Sequence, residues 1–168
     1  MTRIPQLVAA TLVAGLPSLA TADEPTGCAA FKWSLDRERA ALAETSKPAI
    51  ANGGALAYEV AATLKLAPLG EAGLQHAPER ASKLAQSFAG HFKLPIPSRP
   101  GVYKVTIAST GWIDVLDNGA FLHPKGHSGA VGCEGARKSI KFELPARPVE
   151  IQVSGVRDDT LSLIVSPE

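Results

Sequence analysis

Alternation of apolar and polar side chains is the main pattern of this chain, and it predicts β-strands. The alternation is clearest over residues 56–66, where every second residue is apolar: Leu56, Tyr58, Val60, Ala62, Leu64 and Leu66. A period of two places successive side chains on opposite faces, as in a strand that buries one face. We therefore expect one long strand over 56–66.

Shorter strand patterns follow one another closely in the second half of the chain, at 88–94, 102–109, 138–144, 148–155 and 160–166. Residues 111–123 predict a hairpin, because Asn118-Gly119 suits the type I′ turn that joins two antiparallel strands. The last two strands are expected to pair with each other across the turn "VRDD".

Helical signals are few and lie near the start of the chain. Residues 34–44 combine a possible N-cap, Ser34, with good helix formers, and Pro48 ends the element. A further helical turn is expected near 79–87, inside an irregular crossover. Many short strands with little helix predict a mainly β protein, an antiparallel β-sandwich of jelly-roll type with a short N-terminal helix.

Residues 1–22 have the pattern of a signal peptide. Arg3 supplies a positive start, residues 7–16 form an apolar run, and small residues lead to a cleavage site after Ala22. The apolar run is about 10 residues long, against the roughly 20 that a transmembrane helix needs. We expect a single β-sandwich domain over 23–168 that is periplasmic or secreted, with no membrane span.

The charge balance argues against two classes of partner. The chain has 17 Lys+Arg and 16 Asp+Glu, and cleavage would remove Arg3 and no acidic residue, which leaves 16 of each. A neutral chain without a long basic run is a poor match for nucleic acid or for an anionic membrane surface.

The two cysteines, Cys28 and Cys133, predict one disulfide in an oxidising compartment. It would join the N-terminal segment to the glycine-rich stretch 123–139. One alternative is a free thiolate that serves as a metal ligand or nucleophile. Another is a lipoprotein modified at Cys28, but Pro25 and two acidic residues precede that cysteine where an apolar residue should stand.

A metal site is the second hypothesis for the stretch 123–139. Its candidate ligands are two histidines, a cysteine and a glutamate: His123, His127, Cys133 and Glu134. Their side chains are of the types that bind Zn²⁺. However, Pro124 and two glycines exclude a helix there, so the His-x3-His spacing does not place both rings on one face. A disulfide would also remove the thiolate. The expected cofactor is therefore none, with a metal ion as the alternative.

Other polar and aromatic residues are candidates for ligand binding: Trp112, Asp114, His127 and Arg137. Tryptophan can stack on a sugar or peptide, and arginine offers a bidentate grip for a carboxylate. The alternatives are structural: a core tryptophan, a solvent-facing aspartate, and an ion pair of Arg137 with Asp114, Asp117 or Glu134.

No catalytic constellation is apparent, so the enzyme question stays open and leans towards a non-enzyme. The chain has no G-x-S-x-G nucleophile motif. Ser139, Asp114 and His127 would have to converge in three dimensions, and nothing in their spacing requires that they do.

Three stretches carry a resemblance to a known group of proteins: "PGVYKVTIASTGWIDVLDNG" (100–119), "HSGAVGCEGARKSIKFEL" (127–144) and "PVEIQVSGVRDDTLSLIV" (148–165). In these stretches the chain resembles small secreted proteobacterial proteins of unassigned function. The G-x-Y-x-V-x-I rhythm also resembles pre-peptidase C-terminal β-sandwiches. Both resemblances imply a β-sandwich, and neither implies a catalytic residue.

Chains of this group are sometimes labelled homogentisate dioxygenase, and the residues argue against that label. A cupin-type iron site uses a His-x-His pair with a later glutamate and histidine. No His-x-His occurs among the four histidines of this chain. The sequence thus favours a secreted, non-catalytic module that binds a small molecule, glycan or protein. The alternative is a metal-binding protein or small metal-dependent oxidoreductase that uses residues 123–139.

Overall fold

The computed structural model describes residues 24–168, so the predicted signal peptide lies outside the described residues. Within this range the chain forms two β-sheets, one α-helix, α1 (Asp36–Ala43), and two short 3-10 helices, Cys28–Ala30 and Leu69–Glu71. The predicted β-sandwich with a short N-terminal helix is confirmed.

The larger sheet has six strands, which in spatial order are β1 (Ala49–Ile50), β2 (Ala62–Lys65), β11 (Thr160–Pro167), β5 (Gly101–Ile107), β9 (Lys138–Leu144) and β8 (Gly126–Gly129). All neighbours are antiparallel except β1 and β2. The smaller sheet has five strands, all antiparallel, in the order β3 (Ala67–Pro68), β4 (Phe88–Leu94), β10 (Val149–Val156), β6 (Trp112–Asp117) and β7 (Ala120–Phe121).

The core lies between the two sheets and is built by the alternation seen in the sequence. In β9 the core residues are Ile140, Phe142 and Leu144, while Ser139, Lys141 and Glu143 alternate with them on the other face. Phe92 and Ile151, from the smaller sheet, complete the same cluster and have no exposed surface. Each such side chain contributes about 1.5–3 kcal/mol by leaving water.

The N-terminal segment, residues 24–47, covers the outer face of the six-stranded sheet. Glu38 of α1 is buried there and forms an ion pair with Lys104 of β5 at 2.7 Å. Its carboxylate also accepts a hydrogen bond from Ser166 of β11 at 2.5 Å. Trp33 donates from Nε1 to Ser139 of β9 at 3.2 Å. This cover therefore combines polar contacts with small apolar clusters, such as that of Leu42 and Ile164, whereas the opposite face of the sheet carries the main apolar core.

The expected strand over 56–66 is wrong in its length, because only β2 forms there. Glu59 has a φ of 62°, in the left-handed region, and the chain reverses direction at that point. Tyr58 bridges Val165 of β11 in parallel, whereas β2 runs antiparallel to β11. The reversal leaves Val60 46% exposed, although the alternation placed it inside.

The expected pairing of the last two strands is also wrong. β10 pairs with β4 and β6 in the smaller sheet, while β11 pairs with β2 and β5 in the larger one. Each is thus a central strand of its own sheet, and the turn "VRDD" crosses from one sheet to the other. Two irregularities come just before that crossing. The register of β10 against β4 shifts between Val153 and Val156, and Gly155 has a left-handed φ of 64°.

The helical predictions need two corrections. Helix α1 begins at Asp36, and Leu35, which is buried, occupies the N-cap position that the sequence assigned to Ser34. The hydroxyl of Ser34 accepts a hydrogen bond from the backbone N–H of Asp36 at 3.3 Å. No helical turn forms over 79–87, because the backbone there bonds to the sheet and to nearby side chains instead.

The predicted hairpin at Asn118-Gly119 is present, with left-handed φ values of 50° and 79°. Replacing Gly119 with alanine is expected to lower the free energy of unfolding by about 1 kcal/mol, since alanine disfavours this conformation. The new Cβ would also lie 3.4 Å from Nε2 of His76. Urea denaturation measures the change. Gly70→Ala is the control, because that glycine has open space around it; equal losses in both variants would contradict the prediction.

Candidate functional site

A row of polar side chains crosses the outer face of the five-stranded sheet. His91 of β4, Gln152 of β10 and Asp114 of β6 are direct cross-strand partners, so their side chains share one face. Gln152 and Asp114 are only 1% and 3% exposed, although the core lies on the opposite face of the sheet. Something therefore covers this outer face as well.

The cover is the crossover segment, which we define as residues 69–87. Gln75 donates from its side chain to Glu150 of β10 at 3.2 Å. The backbone N–H of Glu79 donates to Asp114 at 3.3 Å. Apart from the 3-10 turn at its start the segment has no helix or strand, so contacts with the sheet hold it in place.

An open cleft of about 680 Å³ lies next to the polar row, between the crossover segment and the sheet. Its walls are mainly apolar, with Pro68, Leu69, Ala77, Pro78, Ala81, Leu84, Ala85 and Phe88 among the lining residues. Ser154 of β10 lines the sheet side of the cleft. Ser154 lies two residues from Gln152 on the same face, so the cleft and the polar row are about 7 Å apart along β10.

Trp112 and Asp114 form a connected pair near the cleft. The indole Nε1 of Trp112 donates to Asp114 Oδ1 at 2.7 Å. Burial raises the pKa of the Asp114 carboxyl, and the hydrogen bonds from Trp112 and from the Glu79 backbone only partly oppose this rise. A carboxyl in this setting resists ionisation more than an exposed one.

Two cations stack on the Trp112 ring. The guanidinium of Arg80 lies 5.4 Å from the ring centroid, and Nζ of Lys138 lies 5.3 Å from it. Lys138 also donates to the backbone carbonyl of Gly111 at 2.6 Å. Burial lowers the pKa of Lys138, and the nearby charges of Arg137 and Arg80 lower it further.

One buried polar atom in the row has no partner. Gln152 donates from Nε2 to Glu150 at 3.3 Å, but its Oε1 atom has no hydrogen-bond partner in the described chain. Glu150 also contacts Nδ1 of His91 at 3.3 Å. An unpaired buried carbonyl costs about 1–3 kcal/mol. The row therefore holds an unused acceptor close to the cleft.

The stretch 123–139 is fixed by the predicted disulfide, which is confirmed. Cys28 and Cys133 are bonded, with their Cα atoms 4.6 Å apart. Thr26 forms a parallel bridge with Val131 beside the disulfide. Trp33 packs in the same small cluster. The stretch is thus tied to the N-terminal segment at several points.

The metal candidates do not converge. Cys133 is oxidised, and His123, His127 and Glu134 are exposed. Within residues 24–168 no group of three or more histidine, cysteine, aspartate or glutamate side chains is placed to hold a metal ion.

The four ligand-binding candidates separate into two places. Trp112 and Asp114 lie together on the smaller sheet, while His127 lies on β8, at the edge of the larger one. Arg137 is next to Lys138 in sequence, and it pairs with Glu24 at 2.8 Å, not with Asp114, Asp117 or Glu134.

Sequence reasoning missed Arg80 and the cleft. The crossover segment has no periodicity, so its contacts with the sheet could not be expected. The polar outward positions of β10, Glu150, Gln152 and Ser154, were a usable signal for a polar face. Their burial was not predictable from the strand itself.

Comparison with known proteins found no match among family models, curated proteins or solved structures. The resemblance to small secreted proteobacterial proteins therefore stays a prediction. In the part of the chain that the structure describes, no helix has both the length and the apolar character to cross a membrane.

Proposed function

We propose that this protein is a non-catalytic binding module of the periplasm or extracellular space, whose cleft holds a small molecule with an apolar body. The observation that carries the proposal is the cleft of about 680 Å³ between the crossover segment and the five-stranded sheet. Binding sites for small ligands typically have volumes of about 300–1,000 Å³ and mainly apolar walls, with a few polar groups beside them.

The surroundings of the cleft support a role in binding. The sheet side is rigid because β10 pairs with a strand on each side. The opposite wall is the crossover segment, which has little regular structure. Trp112 and Asp114 supply polar groups near the apolar wall.

Location outside the cytoplasm is part of the proposal and has two supports. The disulfide between Cys28 and Cys133 is of the kind that persists in oxidising compartments. The pattern of residues 1–22, with Arg3 before an apolar run, is typical of an exported chain.

Filling the cleft is expected to block the binding of a neutral apolar probe. Ala81 lines the cleft and its side chain is exposed, so Ala81→Phe would occupy the space without disturbing the core. The probe is N-phenyl-1-naphthylamine, whose fluorescence rises in an apolar site. We expect affinity for the probe to fall by about tenfold or more, equivalent to about 1.4 kcal/mol.

The matched control is Ala146→Phe, which adds the same ring at an exposed alanine outside the cleft. This variant should bind the probe like the unmodified protein. Absence of probe binding to the unmodified protein, or equal binding by both variants, would show that the cleft is not a ligand site.

A further inference from the structure

Trp112 lies where three parts of the fold meet. It begins β6 of the smaller sheet, Arg80 reaches it from the crossover segment, and Lys138 reaches it from the first position of β9 in the larger sheet. The cation–ring distances, 5.4 and 5.3 Å, are within the range of cation–π attraction. Two positive charges, from elements that are distant in sequence, therefore lie against one indole.

These two positive charges are not neutralised by an ion pair. Within residues 24–168 neither Arg80 nor Lys138 has a carboxylate within 4.0 Å. Two acidic groups of this region are engaged with other partners. Glu24 pairs with Arg137 at 2.8 Å, and the Asp114 carboxylate accepts from the Trp112 indole and from the Glu79 backbone.

Burial makes this arrangement costly without a negative partner. Lys138 is partly buried, and burial lowers the pKa of its ammonium group, with further lowering from Arg137 and Arg80 that the charge of Glu24 only partly opposes. A partly buried cation beside two other cations is unfavourable unless an anion comes close. The structure therefore holds positive charge next to the cleft in a position where a bound anion would relieve repulsion.

The cationic pair is continuous with the cleft. Ser154 lines the cleft and is the direct cross-strand partner of Trp112. Arg80 lies between two lining residues, Pro78 and Ala81, in the crossover segment. Cross-strand partners have Cα atoms about 4.5–5.5 Å apart, so a molecule with its apolar part in the cleft could place a polar group beside the indole.

From this geometry we propose that the ligand is an organic anion, with an apolar body in the cleft and a carboxylate or similar group held between Arg80 and Lys138 beside Trp112. The inference deepens the proposed function and depends on it. Arginine and lysine donate charge-assisted hydrogen bonds to such a group, and these are stronger than neutral ones.

The experiment compares three probes of one chain length by NMR: decanoate, decan-1-ol and decylamine. The chain contains only two tryptophans, Trp33 and Trp112, so a ¹⁵N-labelled sample gives two indole signals, which the Trp112→Phe variant assigns. Decanoate is expected to shift the Trp112 signal and not the Trp33 signal. It should bind about tenfold more tightly than decan-1-ol, as one charge-assisted bond predicts, and decylamine should bind more weakly than either.

Two variants test the cations, and one serves as a control. Arg80→Gln and Lys138→Gln should each remove most of the preference for decanoate over decan-1-ol, measured as the ratio of the two affinities. Lys65→Gln, at an exposed lysine of β2 that does not line the cleft, should keep the full preference.

The possible outcomes separate the two proposals. Equal affinity for decanoate and decan-1-ol, or tighter binding of decylamine, would overturn the anion inference and leave the cleft as a site. No binding of any probe, or a shift of the Trp33 signal alone, would overturn the proposed cleft itself. A preference for decanoate that survives both Arg80→Gln and Lys138→Gln would show that other residues hold the anion.

Discussion

Replacing Cys28 and Cys133 together with alanine is expected to lower the free energy of unfolding by about 3–5 kcal/mol. The disulfide joins residues 105 positions apart, so it restricts the unfolded chain strongly. A closed loop of about 100 residues corresponds to up to about 4.7 kcal/mol in the chain-entropy model. The bridge also fastens the N-terminal segment over the outer face of the six-stranded sheet. Urea denaturation of the oxidised protein and the double variant measures the difference.

Reduced unmodified protein is the control for packing. Cys133 is buried against Leu35 and Ala136, so alanine also removes a sulfur from a small apolar cluster. If the covalent link supplies the stability, reduction alone should cause most of the loss, because the thiols still fill the cluster. A reduced protein as stable as the oxidised one would contradict the prediction and assign the effect of the double variant to packing.

The parts of the fold that the sequence predicted correctly depend on nearby residues. The hairpin at Asn118-Gly119 needs two left-handed residues in succession, and that dipeptide supplies them. The inward face of β9, with Ile140, Phe142 and Leu144, follows from alternation alone. The disulfide followed from an even pair of cysteines in a chain with an export pattern.

The errors in the predicted fold arise where the outcome depends on distant partners. Alternation over 56–66 is compatible with one strand, but a left-handed Glu59 divides it into two pieces that meet β11 in opposite directions. The last two strands are adjacent in sequence, yet each has better partners in a different sheet. A short turn with polar residues serves equally well within one sheet or between two, so its composition does not decide the pairing.

The candidate site, too, was not predictable where its contacts depend on residues that are distant in sequence. The sequence drew attention to Trp112 and Asp114, and the structure joins them by a hydrogen bond. Their role in binding stays a prediction. The burial of Asp114 under the crossover segment and the contact of Arg80 with the indole were not predictable, because that segment has no periodic pattern from which its contacts follow.

Replacing Glu38 with glutamine is expected to destabilise the protein by about 3 kcal/mol, in the range found when one partner of a buried ion pair is removed. The Glu38 side chain is 2% exposed and that of Lys104 is 13% exposed, so the substitution leaves the lysine charge poorly hydrated and unpaired. Glutamine retains nearly the same shape, so the loss reports on charge and not on packing. Urea denaturation near neutral pH gives the measurement.

Two further variants test whether the loss of stability is specific to Glu38 and whether it comes from the unpaired charge of Lys104. Glu44→Gln, at an exposed residue just after α1, should change stability by no more than about 0.5 kcal/mol. The double variant Glu38→Leu/Lys104→Leu should recover much of the loss, because an apolar pair removes both buried charges at once. If this double variant is as unstable as Glu38→Gln, then the pair would matter for its hydrogen bonds to the surrounding polar layer, and not mainly for charge balance.

The same carboxylate makes stability depend on pH, and the sign follows from the direction of its pKa shift. Burial opposes ionisation of Glu38, but the hydrogen bonds from Lys104 and Ser166 outweigh it and hold its pKa below the ordinary value of 4.5. A depressed carboxyl pKa contributes stability above the unfolded pKa, and this contribution disappears as the pH falls through the folded pKa. The difference in stability between the unmodified protein and Glu38→Gln should therefore be full near pH 7 and shrink steadily below about pH 4.5. A difference that stays constant down to about pH 3 would mean that Lys104 does not hold the Glu38 carboxylate in its ionised form.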